Sequence, residues 1–169
     1  LGHPLHACDL DLLDGKKIVV RRSAANEPLT TLDGTARTLT AYILVIADAK
    51  KAVALAGIMG GADSEVTAST TRLLLECAWF EPRRVRRGSK ALGLSTEASK
   101  RFERGVDPEV GSIATARFIE LLRESCPGLT LGPAREHGGA RPEPRRLTLR
   151  HSRITRIAGL VLPGAEVQR

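Results

Sequence analysis

Glu76 lies in the run Leu73-Leu74-Leu75-Glu76-Cys77-Ala78-Trp79-Phe80, which has the length and apolarity of a core strand. Removing water from a carboxylate is costly, so an acid in such a run needs a reason. Three reasons are open: the strand lies at an edge, Glu76 pairs with one of the arginines that follow, or its carboxylate faces a pocket and binds a visiting donor. Just upstream, Gly57-Ile58-Met59-Gly60-Gly61 is bare enough for the backbone to approach a ligand and form one wall of a pocket, although a tight turn alone would use the same residues. It is not a nucleotide loop. No Lys-Ser or Lys-Thr follows it, and its spacing is not that of a dinucleotide fingerprint. No Ser/His/Asp or Cys/His order stands out for nucleophilic catalysis. Cys8, Cys77 and Cys126 are odd in number and never in a C-x-x-C pair, which argues against a disulfide framework or a zinc site and fits a reducing cytoplasm. Of the histidines only His3 and His6 have a metal-like spacing, so no metal site is expected.

The charge is concentrated. The 169 residues carry a net charge of +7, and residues 83–104 hold eight basic side chains (Arg83, Arg84, Arg86, Arg87, Lys90, Lys100, Arg101, Arg104) against Glu97 and Glu103. Such a cluster suits phosphates, and a solvated helix face is the alternative. With three Phe, one Tyr and one Trp, a base-stacking platform is not expected. Hydrophobic residues make up 42% of the chain and no apolar run approaches the ~20 residues of a membrane helix. A secretory core is also absent, so the expected class is a soluble cytoplasmic protein.

The elements that must position these residues change type midway. Residues 17–22 read as a strand, residues 29–32 and 37–39 flank Asp33-Gly34 as a hairpin, and residues 44–48 and 52–56 bracket Lys50-Lys51 as another. Pro82 suits a first helical position, Ser95 or Thr96 suits the cap of a next helix, and Asp107-Pro108 suits the start of a helix reaching about Glu124. Ile113, Ala116, Phe118, Ile119 and Leu122 supply an apolar stripe on it, and Pro127-Gly128 stops it. The pattern predicts an α+β domain over residues 1–131, with sheets layered against helices in a β/β/α-like manner. A Gly-, Pro- and Arg-rich linker follows over residues 132–146. The opening of a further module is expected over 147–169, with a strand at 147–149 and a short helix capped by Ser152 and closed by Gly159. Leu1 in place of an initiator Met, and a helical-looking pattern at Arg169, suggest a piece of a longer protein.

Several blocks, in order, carry a resemblance. Gly2-His3-Pro4-Leu5-His6-Ala7-Cys8-Asp9, Leu32-Asp33-Gly34, Leu44-Val45-Ile46-Ala47-Asp48, residues 56–67, Leu75-Glu76-Cys77-Ala78 and residues 93–108 resemble the editing module of the bacterial phenylalanyl-tRNA synthetase beta subunit, over residues 1 to about 126. Residues 146–167 resemble the start of the next beta-subunit domain. The resemblance implies hydrolysis of tyrosine wrongly esterified to tRNA(Phe), needed because an apolar pocket rejects an analogue with one extra hydroxyl only ~100-fold. It implies that Glu76 binds the phenol, that Gly57 and Gly60 line the pocket, that Thr96 and Ala98 close it, and that His6 sits near the ester and helps place water or the terminal adenosine, with His6 and Thr96 as the catalytic candidates. Thr96 would equally serve as a helix cap, Ala98 as an ordinary helix residue and His6 as a loop histidine. Arg83, Arg84, Arg86 and Arg87 are the candidate nucleic-acid contacts.

The family also implies an alpha subunit that carries aminoacylation with ATP and Mg²⁺, tRNA(Phe) as partner, an α2β2 assembly and no membrane; no cofactor is expected in this segment. Its module begins upstream of Leu1, so part of the pocket wall would lie outside the chain. Cys8 stands where the family usually has Phe, and His3 where it usually has Gln. The competing reading is a non-catalytic scaffold or tRNA-docking module without an active pocket.

Overall fold

The computed structural model describes residues 2–138, 143 and 146–167. The chain divides into two units, Leu1–Gly132 and Pro133–Arg169. The first is α+β, as expected, and its strands pair antiparallel throughout. Strand β1 (His6–Asp9) pairs with β8 (Leu73–Glu76) as a two-stranded sheet, and β3 (Glu27–Thr30) pairs with β4 (Ala36–Leu39). A four-stranded sheet has the order β2 (Val19–Arg22), β5 (Leu44–Ala47), β6 (Ala52–Leu55), β7 (Met59–Gly60).

Both expected hairpins form, for local reasons. At the first, Gly34 has φ 75° and its N–H donates to the Thr31 carbonyl, while the Asp33 carboxylate accepts from the Thr35 N–H. At the second, the Asp48 carboxylate accepts from the N–H groups of Lys50 and Lys51, which folds the β5–β6 turn. Burial pushes that carboxyl up, but hydrogen bonds from the Lys51, Lys50 and Asp14 N–H groups together outweigh it and hold the group below its usual range. The core draws on β5 and β6, where Val45, Ala47, Val53 and Leu55 are almost fully buried, and on Phe80, Val85 and Phe102 from the helical half.

Helix α1 (Pro82–Leu92) has Pro at its first position and the Glu81 carboxylate accepting from the Arg83 N–H. It buries Val85, Gly88 and Ser89, one stripe at helical spacing, and ends at Gly93 with φ 62°. Helix α2 (Glu97–Phe102) starts at Thr96, and α3 (Val110–Ser125) begins two residues later than the Asp107-Pro108 signal suggests. The Asp107 carboxylate there accepts from the Glu109 N–H.

Four expectations need correction. The run at residues 73–80 is a four-residue strand rather than a long core strand, and Leu73 is 41% exposed, because only the face of the two-stranded sheet that bears Leu74 and Glu76 turns to the core. On α3, Ala114 alone is buried among the described residues and Ile113 is 59% exposed, so the apolar stripe is not a core face. In the second unit residues 147–149 form no strand, and no described segment pairs with them. There α4 (His151–Ala158) has Arg150, not Ser152, at its N-cap position, with no side-chain cap bond, and is closed by Gly159 with φ 72°, and α5 (Gly164–Val167) follows.

Candidate functional site

Strand register brings His6 and Glu76 together. They are direct partners across the β1–β8 pair, although seventy residues separate them, and Cys8 faces Leu74 two positions along. Alternation places His6 and Cys8 on one face with Glu76 and Leu74. Cys8 is 2% exposed and part of the core, so this is the inward face.

Glu76 is half-buried, and among the described residues no hydrogen bond or ion pair reaches its carboxyl, whose oxygens keep some access to solvent. Burial pushes that carboxyl up to about 7. Burial also lowers His6, which keeps its imidazole neutral. The Cys8 thiol is raised by burial and by the Glu76 charge, against a hydrogen bond with Ser64. An acid and a base thus face each other without forming a salt bridge, because neither charged form is well solvated there.

The glycine turn supplies the next layer. A Cβ on Gly60 would lie 2.5 Å from His6 Cε1 and 2.8 Å from Nε2, so the imidazole rests on the bare α-carbon of Gly60. The same Cβ would meet Leu32 Cδ1 at 2.9 Å, and the Gly60 carbonyl accepts from the Leu32 N–H at 3.0 Å. Gly57 has φ 67° and turns its bare side elsewhere, against Phe80, Phe102 and Val85. Between the two glycines, the Ile58 carbonyl accepts a 2.7 Å hydrogen bond from the Thr96 hydroxyl.

Thr96 makes two structural bonds with one oxygen. Its Oγ1 donates to Ile58 and accepts from the Ser99 N–H at 3.0 Å, while Ser99 Oγ accepts from the Thr96 N–H at 2.9 Å, closing a capping box. Ala98, on the first turn of α2, packs against the core. Of the sequence candidates, His6, Glu76 and Gly60 are therefore brought together, Thr96 is joined to them through the turn, and Gly57 and Ala98 lie toward the core. Sequence reasoning misses Ile58, Leu32 and Ser99. Of these only Ser99 carries a signal, the hydroxyl three residues after a cap.

His3 packs edge-on to Phe102, with ring centroids 6.2 Å apart and an interplanar angle of 82°. Both of its ring nitrogens are buried without a hydrogen-bond partner. Arg83, Arg84, Arg86 and Arg87 are all exposed along α1, and Arg84 approaches Glu81 at 3.7 Å. Two shallow concavities run along α3, lined by residues such as Ala116, Ile119 and Leu131, and neither includes His6, Gly60 or Glu76. Among the described residues no group of three or more His, Cys, Asp or Glu is placed to hold a metal, and no helix is long and apolar enough to cross a membrane.

Comparison with known proteins matches the B3/4 domain family over residues 1–127. A phenylalanine--tRNA ligase beta subunit of Geobacter metallireducens is 49% identical over 168 residues, covering 98% of the chain and 21% of that protein. The beta subunit of Anaeromyxobacter dehalogenans is 55% identical over 122 residues, covering 72% of the chain and 15% of that protein. That of Vibrio cholerae is 43% identical over 168 residues, covering 98% and 21%. The chain thus spans about a fifth of the length of such relatives. Because the family match takes in β1, the glycine turn, β8 and both helices that hold the turn, the chain belongs to the B3/4 domain family.

Proposed function

We propose that this chain is the part of a phenylalanine--tRNA ligase beta subunit that hydrolyses tyrosine wrongly esterified to tRNA(Phe). The observation that carries the reading is the unpartnered, half-buried carboxyl of Glu76 opposite His6. A tyrosyl phenol satisfies that carboxyl in either protonation state, donating to the carboxylate or accepting from the acid. A phenylalanyl ring would displace its water and return nothing, at a cost of roughly 1–3 kcal/mol. Discrimination then favours removal of the wrong product, the reverse of what an apolar synthetic pocket achieves.

In the reaction, water adds to the ester carbonyl, the bond from that carbon to the ribose oxygen breaks, and the proton released by water returns to the ribose hydroxyl. His6, held neutral by burial, accepts a hydrogen bond from the attacking water. Gly60 keeps the imidazole seated and Thr96 holds the turn beneath it, while Gly57 and Ala98 serve the packing behind the turn. Aminoacylation, with its ATP and Mg²⁺, belongs in this reading to an alpha subunit in a cytoplasmic α2β2 enzyme.

The test is Glu76→Ala in the intact enzyme. Tyr-tRNA(Phe) should accumulate while Phe-tRNA(Phe) synthesis stays nearly unchanged. If no mischarged product appears, the selector role is wrong and the non-catalytic scaffold takes its place.

A further inference from the structure

Helices α1 and α2 form an antiparallel pair. Residues 93–96 link the end of α1 to the start of α2, and beyond the end of α2 a Cβ on Gly105 would lie 3.9 Å from Pro82 Cγ at the start of α1. The end of α2, with Arg101 and Arg104, is thereby set beside the start of α1, with Arg83 and Arg84. Residues 83–104 carry eight basic and two acidic side chains, a surplus of six in a chain whose net charge is +7. All eight cations are exposed.

Among the described residues six of the eight form no ion pair, as Lys17, Arg22 and Arg123 form none elsewhere in this unit, and what distinguishes the six is that they are gathered on one helix pair. In the sheets and on α3, Arg21, Arg37, Arg72 and Arg117 each form an ion pair with Glu27, Asp33, Asp11 and Glu120. On the helix pair, Glu81 reaches Arg84 and Glu97 reaches Lys100, and among the described residues no ion pair reaches Arg83, Arg86, Arg87, Lys90, Arg101 or Arg104. The one aromatic residue on the two helices, Phe102, is buried with Phe80 beneath the pair, so the helices' outer surface offers charge without stacking, and the exposed Trp79 lies before α1. That chemistry suits a sugar-phosphate backbone read without regard to base sequence.

The pair is also fastened to the candidate site. A Cβ on Gly88 would lie 3.1 Å from Ile58 Cδ1, Thr96 donates to the Ile58 carbonyl, and Gly60, two residues on, seats His6. We propose that the α1–α2 surface docks the phosphate backbone of the RNA whose 3′ ester enters the His6–Glu76 site. The proposal rests on the hydrolytic reading for which RNA it is, and the docking experiment involves no hydrolysis.

Deacylated tRNA(Phe) is titrated onto the intact enzyme by filter binding over a range of salt. Replacing Arg83, Arg86, Arg87, Arg101 and Arg104 with Gln should flatten the plot of log K against log salt by about 0.7–0.9 for each phosphate that the variant no longer neutralises. The matching Arg→Lys variant keeps the charge and should keep most of the slope, which separates missing charge from a misfolded helix. Arg123→Gln on α3 is the control and should leave the slope alone. An unchanged slope in the Gln variant overturns the proposal, as does an equal flattening by Arg123→Gln. An unchanged slope together with failure of the Gln variant to assemble with its partner subunit would instead assign the surface to an acidic protein face. The site reading is judged separately, by whether wild-type enzyme hydrolyses a tyrosyl ester of a short 3′-terminal oligonucleotide too small to reach α1.

Discussion

Replacing Glu76 with Gln should remove a pH dependence of stability that runs against the usual carboxylate trend. Below pH 4.5 the carboxyl holds its proton in both folded and unfolded chains, and its ionisation contributes nothing. Between pH 4.5 and about 7 the unfolded chain has released the proton and the folded chain has kept it, so rising pH favours unfolding. Above about 7 the folded chain must ionise a buried group, and the penalty is complete. The gap from 4.5 to about 7, at ~1.4 kcal/mol per pH unit, amounts to about 3 kcal/mol. Glu27 and Asp33 do not confuse the measurement. Their carboxyls are held down to about 2, Glu27 by Arg21 and Asp33 by Thr31, so their stabilisation is lost only as pH falls from the ordinary carboxylate range toward 2. His6 acts in the opposite sense, since its lowered value favours folding as pH rises, and it is present in both proteins. Urea unfolding of wild type and Glu76→Gln at pH 4.5, 6 and 8.5, followed through the single tryptophan Trp79, isolates the difference. The stability gap between them should widen by about 3 kcal/mol in favour of Gln from the lowest to the highest pH. A gap that stays constant within ~0.5 kcal/mol would mean that Glu76 is solvated in the folded state, and the selector argument would lose its basis.

Two further substitutions probe the turn under His6. Thr96→Val removes both the cap and the bond to Ile58, and should cost about 1–2 kcal/mol in urea unfolding and lower tyrosyl-ester hydrolysis, whereas Thr96→Ser should retain both; equal behaviour of the two variants would refute the bridging role. Gly57→Ala should cost roughly 1–3 kcal/mol, because φ 67° disfavours any side chain and the new methyl would lie 2.8 Å from Phe80 Cδ2; an unchanged urea midpoint would show that the turn relaxes freely.

What could be read from the sequence was local. Asp33-Gly34, Pro82 and Thr96 each act through bonds within a few residues, and each gives the turn, start or cap that its chemistry implies. Apolarity misled where it had no partner to act on. Residues 73–80 are apolar enough for a long strand, yet β1 pairs with four of them, and the chain beyond Glu76 leaves the sheet to reach α1. The facing of His6 and Glu76 depends on register between segments seventy residues apart, and no local pattern encodes such a register. Glu76 was nevertheless conspicuous, because one acid in an apolar run conflicts with the pattern around it. Gly60 could be suspected but its role could not, since only the fold reveals that its missing side chain is the seat of an imidazole.

The energetics connect these observations to function. A leucine at position 76 would continue the pattern of Leu73, Leu74 and Leu75 and would bury apolar surface on the inward face of β8. The glutamate instead is expected to oppose folding once its carboxyl ionises, by the roughly 3 kcal/mol that the urea titration would measure, a large share of the 5–15 kcal/mol by which a domain is ordinarily stable. Its neighbours do nothing to relieve this: His6 is neutral and Cys8 is a buried thiol. The arginines of α1, Arg83, Arg84, Arg86 and Arg87, lie on the solvent face of the helix, and no ion pair joins them to Glu76. A group left without a partner inside a structure that pairs Arg21, Arg37 and Arg72 is best satisfied by something that arrives from outside, and a phenol hydroxyl has the size and both hydrogen-bonding modes that a carboxyl near pH 7 requires.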